Sequence, residues 1–143
     1  ALVGGRTQEL DGQLADVAKQ YLGERGGKIA DADVRNKVLT HDLNSRAFRL
    51  TQRRTVEESQ DGRTPGPATS IFKMYGTELQ QDKSRLMCEL RGIQGLGWTG
   101  ESFSKTELEW TRMWLSNRAA SIYSGTNEIQ RNIIAKRVLG LPD

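Results

Sequence analysis

Apolar residues recur every three to four positions along almost the whole chain, the spacing that lines one side of an α-helix. Leu10, Leu14, Val17, Ala18 and Tyr21 form a first stripe that stops near Gly23, where Gly26 and Gly27 follow. A second helix is predicted from about Asp31. Asp31 and Asp33 complement the positive end of its dipole, and Val34, Val38, Leu39, Leu43, Ala47 and Leu50 share a buried face. Residues 61–67 end it, because two prolines and two glycines in seven positions cannot continue a helix. Pro67 suits the first position of a third helix, where its missing N–H costs nothing, and Ile71, Tyr75, Leu79, Leu86 and Leu90 carry that helix to about Gly92. Residues 92–100 hold four glycines and read as a loop. A fourth helix from about Ser104 presents Leu108, Trp110, Met113, Trp114, Ala120 and Ile122. Ser124-Gly125 breaks it, and Thr126 is an N-cap for a short fifth helix. That helix has Glu128 in its first turn, packs through Ile129, Ile133, Ile134 and Val138, and stops at Gly140 and Pro142.

No stretch of useful length alternates with period two, so the predicted fold is all-α: an antiparallel, up-down four-helix bundle with a short extra C-terminal helix. At 143 residues the chain is expected to be one domain, residues 1–143. Its apolar runs fall far short of the roughly 20 residues that cross a bilayer, so no membrane partner is expected. The opening Ala1-Leu2-Val3-Gly4-Gly5-Arg6 has neither an initiator Met nor the pattern of a signal peptide, and reads as the cut end of a longer protein. A single cysteine, Cys88, permits no internal disulfide, and a single histidine, His41, permits no familiar zinc set; a cytoplasmic setting is the expectation. The net charge of +3 lies wholly in residues 112–143, where five basic residues face Glu128 and Asp143. Without interleaved aromatic residues that patch does not argue for a nucleic-acid partner.

Candidate chemistry is sparse. His41 reads as a surface or hydrogen-bonded structural residue, and Cys88, beside Met87, as a small apolar side chain whose thiol Glu89 would not activate. The serines between 116 and 124 have no histidine at hand to act as base. The glycines of 92–100 would let a backbone approach a phosphate, or simply form a loop between helices. Ser124-Gly125-Thr126-Asn127-Glu128 opens a glycine hinge directly onto a helix N-terminus, where free N–H groups favour an anion; an ordinary capped helix start explains it equally.

Residues 116–142, running through Ser121-Ile122-Tyr123-Ser124-Gly125-Thr126-Asn127-Glu128-Ile129-Gln130-Arg131-Asn132 to Val138-Leu139-Gly140-Leu141-Pro142, resemble the C-terminal signature of the acyl-CoA dehydrogenase family over 27 consecutive positions. Pro65-Gly66-Pro67 before Ser70-Ile71-Phe72-Lys73 resembles the turn that opens a bundle helix in the same family. The resemblance implies the last of three domains, after an N-terminal helical and a middle β-domain, in an FAD-dependent oxidoreductase. That enzyme dehydrogenates an acyl-CoA to the 2-enoyl-CoA and assembles as a homo- or hetero-oligomer, with an electron-transfer flavoprotein as electron acceptor. It also implies that Thr126 and Glu128 contact FAD, that Arg25 reaches the FAD of a neighbouring subunit, and that Gln94 grips its adenine half. Lys28 stands where an aromatic often follows that arginine. Ser124 occupies the position at which many members carry the glutamate base, and a serine without a partner base does not take the α proton, so no catalytic residue is assigned. The base is expected just upstream of Ala1; the alternative is a non-catalytic helical partner subunit of a heteromeric dehydrogenase.

Overall fold

The computed structural model describes residues 13–60 and 69–142. Among them it is all-α, as the pattern predicts. The α-helices are α1 (Gln13–Leu22), α2 (Ala32–Gln60), α3 (Thr69–Glu89), α4 (Lys105–Ser116) and α5 (Asn127–Ile133). Short 3₁₀ segments follow α3 (Gly92–Leu96) and α4 (Asn117–Ser121), and a π-helical turn (Ile134–Val138) extends α5. The predicted starts at Leu10 and Pro67 lie outside the described residues.

Two two-residue strands, β1 (Glu24–Arg25) and β2 (Lys28–Ile29), join α1 to α2 as an antiparallel hairpin with Glu24 opposite Ile29 and Arg25 opposite Lys28. Gly26 and Gly27 make this turn, at φ 57° and 76°. Two consecutive left-handed residues define the tight turn whose twist matches that of paired strands, and glycine occupies both positions without steric cost.

The chain divides into two compact units. The first comprises residues 13–42 and 82–115. Its core is Leu14, Ala18, Ile29, Val38, Leu86, Met87 and Leu90, with Ala15, Val17, Val34 and Trp110 packed against it. There α2 and α3 run antiparallel: Lys37 pairs with Glu89 at 3.7 Å and, one turn on, His41 with Asp82 at 2.9 Å. The second unit comprises residues 43–60, 69–81 and 116–142. In it Phe48 of α2 meets Phe72 and Tyr75 of α3 edge to face, at 5.9 and 5.8 Å between ring centroids. Gly76 gives that ring room, since a Cβ there would press on Phe48.

The structure corrects several predicted faces. On α2 the covered line is Val34, Val38, His41, Ser45 and Phe48, whereas Leu39, Leu43, Ala47 and Leu50 are exposed. Both lines have helical spacing, and the one carrying a histidine and a serine is the one that packs. Met113 and Ile122, assigned to the packing surface of the fourth helix, are exposed; α4 itself ends at Ser116 and continues as 3₁₀. On α5, Ile133 and Ile134 are half-buried while Ile129 and Val138 are exposed.

Candidate functional site

The turn into α5 is built by three successive residues with different tasks. Ser124 and Gly125 both take left-handed backbone, at φ 57° and 89°. For glycine this is free; for Ser124 it is a strained position. A Cβ on Gly125 would also lie 2.9 Å from Gln130 Nε2, so a side chain there would push the glutamine amide aside. Thr126 then returns to extended backbone (φ −64°, ψ 157°), and its Oγ1 accepts from the Ile129 N–H at 3.3 Å, which makes it the N-cap the sequence predicts. Glu128 is exposed in the first turn. Its own backbone N–H and then the Thr126 hydroxyl hold its carboxyl below the ordinary glutamate range, with Arg131 and Lys73 adding to the effect. Thr126 and Glu128 are thus brought together at one helix start.

What the sequence reading missed is the residue between them. Asn127 is only 4% exposed. Its Oδ1 accepts from Lys73 Nζ at 3.0 Å and lies 3.2 Å from Thr77 Oγ1, while its Nδ2 donates to the Met74 carbonyl at 3.4 Å. One turn further along α5, Arg131 pairs with Glu78 at 2.6 Å. These contacts join positions 50 or more residues apart, so no local pattern reveals them.

Arg25 and Gln94 belong to the first unit, on separate elements. Arg25 is exposed in the hairpin, where its backbone pairs with Lys28. Gln94 lies in the 3₁₀ segment after α3, and its Oε1 is buried with no hydrogen-bond partner among the described residues. The glycines around it are not an open phosphate cradle. A Cβ on Gly95 would overlap the Cys88 carbonyl, so this glycine serves the close packing of the 3₁₀ segment on the end of α3; Thr111 Oγ1 fixes the Gly95 carbonyl at 3.1 Å.

The first unit also holds a buried polar cluster. Ser104 and Glu107 form a reciprocal cap at the start of α4: Ser104 N–H donates to Glu107 Oε2 at 2.6 Å, and Glu107 N–H donates to Ser104 Oγ at 3.2 Å. The Tyr21 hydroxyl donates to Glu107 Oε1 at 2.6 Å, and the Arg91 guanidinium lies 5.5 Å over the Tyr21 ring. The hydrogen bond from Tyr21 is the main reason that Glu107 sits below its ordinary value, and it pushes the tyrosine hydroxyl up in turn. Ser104-Lys105-Thr106-Glu107 is a readable S-x-x-E signal; its tyrosine partner, 86 positions away, is not.

His41 is a buried, hydrogen-bonded structural residue, and its contact is the largest influence holding the Asp82 carboxyl low. Cys88 is half-buried and burial raises its thiol pKa, the opposite of what a nucleophile needs. Among the described residues no group of three His, Cys, Asp or Glu is placed to hold a metal ion, and no helix is long and apolar enough to cross a membrane.

Residues 3–139 match the acyl-CoA dehydrogenase C-terminal domain family. The chain belongs to that family. It is 32% identical over 121 residues to the acyl-CoA dehydrogenase IpdE1 of Mycolicibacterium smegmatis, an alignment covering 85% of this chain and 29% of the relative. With IpdE1 of Mycobacterium tuberculosis the identity is 32% over 127 residues, 85% of this chain and 30% of that protein. The acyl-CoA dehydrogenase FadE34 of M. tuberculosis is 27% identical over 123 residues, 86% of this chain and 16% of the relative. The fold is similar to a chain of the crystallised ChsE4-ChsE5 complex of M. tuberculosis, with TM-score 0.71, 26% identity, and coverage of 92% of this chain and 35% of the other. The chain therefore spans less than a third of the length of the curated acyl-CoA dehydrogenases it matches.

Proposed function

We propose that residues 1–143 are the C-terminal domain of an FAD-dependent acyl-CoA dehydrogenase, an oxidoreductase that converts an acyl-CoA to its 2-enoyl-CoA. The observation that carries the reading is the family match over residues 3–139, which includes the Thr126-capped turn.

The residues present fit a flavin. Around the turn, Ile122, Tyr123, Ser124, Gly125 and Ile129 are exposed, so apolar side chains border a strip of backbone left uncovered by glycine. That combination suits a broad apolar ring with polar edges. Thr126 and Glu128 would face the cofactor from the first turn of α5. Gln94 Oε1 is a buried acceptor with no described donor, which suits the exocyclic amine of an adenine. Arg25 extends an exposed cation that would reach a pyrophosphate of a neighbouring subunit's cofactor. Bound there, FAD would supply the acceptor for the hydride leaving the β carbon of the thioester.

Ser124 does not serve as base in this reading. It is exposed, and a serine hydroxyl without a partner base does not take the α proton. The carboxylate that takes the α proton belongs to the remainder of the enzyme, along with the N-terminal and middle domains, the acyl pocket and the surface that meets an electron-transfer flavoprotein. Assembly as an oligomer, homomeric or heteromeric, is part of the same proposal.

The test uses the complete gene product. Purified as expressed, it is expected to show a bound-flavin absorbance that an acyl-CoA bleaches under anaerobic conditions. A full-length protein that is colourless and takes up no added FAD would overturn the reading.

A further inference from the structure

The turn at residues 124–126 is the feature of the second unit on which the proposed flavin contact depends, yet its own side chains do not hold it. Ser124 and Gly125 are exposed, and the Thr126 side chain is engaged in capping α5. The first buried side chain after the turn is Asn127, which is tied to one turn of α3. The identity of its partners fixes its orientation: an ammonium only donates, so the atom 3.0 Å from Lys73 Nζ is the amide oxygen, and the amide NH₂ is left to face the Met74 carbonyl. Thr77 has one hydroxyl proton, which lies between that oxygen at 3.2 Å and the Met74 carbonyl at 2.8 Å. The side chain therefore fits in one way only. An apolar residue of similar size would fill the same space but leave Lys73 Nζ without this acceptor and the Met74 carbonyl without this donor, so what the polar set adds is direction.

We infer that Asn127 is a positioning residue, which sets the height and rotation of the 124–126 turn over α3 and hence the placing of the Thr126 hydroxyl toward the flavin. Lys73 and Thr77 act through it. The exposed Arg131–Glu78 pair one turn on adds a second, weaker contact between α5 and α3. The inference rests on the functional reading given above and goes beyond it, because Asn127 faces away from the cofactor side and is assigned no contact with it.

The experiment compares full-length wild type with Asn127→Leu, Asn127→Asp and, as a control for general loss of stability in the first unit, Tyr21→Phe. Three quantities are read: the FAD dissociation constant of the apoprotein, the position of the bound-flavin absorption bands, and hydrogen exchange at the Ile129 amide. N127L is expected to weaken FAD binding by about tenfold or more, to shift the flavin bands and to speed exchange at Ile129. N127D keeps an oxygen for Lys73 and Thr77 but turns its second oxygen on the Met74 carbonyl, so its FAD affinity is expected to fall between those of wild type and N127L, and an N127D weaker than N127L would count against the inference. Y21F is expected to lower the melting temperature with FAD affinity and spectrum unchanged. N127L with wild-type affinity and spectrum would overturn the inference and leave the functional reading intact, as would N127L and Y21F losing affinity in proportion to their loss of melting temperature. Failure of wild type itself to bind FAD would overturn the functional reading and this inference with it.

Discussion

Tyr21 donates to a carboxylate that is almost fully covered, and this single contact links α1 to the cap of α4. Hydrogen bonds to charged groups contribute more than neutral ones, so Tyr21→Phe is expected to cost about 1.5–3 kcal/mol in urea unfolding at neutral pH. The pH dependence has a definite sign. The folded chain holds Glu107 below its ordinary value, so the unfolded chain binds the proton more tightly. The stabilisation is fully present above the unfolded carboxyl's pKa of about 4.3 and is lost as pH falls through the lower folded value. Asp82, held low mainly by its bond to His41, drains stability in the same direction. Asp42, raised chiefly by burial, opposes them: its contribution is present below its unfolded value and lost as pH rises. Unfolding midpoints measured across the acid range are expected to fall less steeply for Y21F than for wild type. An unchanged slope would count against the Tyr21–Glu107 contact as the source.

At the scale of elements, helix starts were the most legible features, because capping is local chemistry. Thr126 caps α5 as the sequence predicts, and Ser104 caps α4 with a reciprocal glutamate that the same local pattern contains. The Gly26-Gly27 hairpin is equally local, and its geometry makes a two-sided prediction. Gly26→Asn is expected to be tolerated within about 0.5 kcal/mol, since asparagine enters left-handed backbone readily. Gly27→Val is expected to destabilise by about 1–2 kcal/mol or to open the turn, because a β-branched residue resists φ near 76°. Thermal unfolding of the two variants checks this, and equal effects would show that the left-handed turn is not what ties α1 to α2. Helix faces were less legible. On α2 two apolar lines compete, and the richer one, through Leu39, Leu43 and Leu50, is the exposed one. Periodicity identifies a stripe without saying whether a partner covers it.

Across the whole molecule, among the described residues, the fully buried apolar ones are few and lie almost entirely in the first unit, while large apolar side chains remain exposed in both. Among the described residues the second unit contributes only Ala120 to the buried apolar set, and it has polar anchors to α3 at Asn117 and Asn127. Ile93 and Leu96 in the first unit and Leu43 and Ile122 in the second are each more than 60% exposed, and the chain is expected to associate in isolation. Light scattering on the 143-residue chain should give a mass that rises with concentration. A monomer's mass at every concentration would show that these side chains tolerate water as they stand.

The sequence by itself determined the helical class, the order of the elements, the capped turn at 124–128 and the family, because each depends on residues close together or on a long contiguous match. Tertiary structure decided which stripe of α2 is covered, that Gly95 serves packing rather than an open loop, and that Asn127, Lys73 and Thr77 meet. These outcomes turn on the 3₁₀ segment folding back on α3, on side chains brought together from 50 or more positions apart or on a surface being covered, and none of these leaves a mark in apolar spacing.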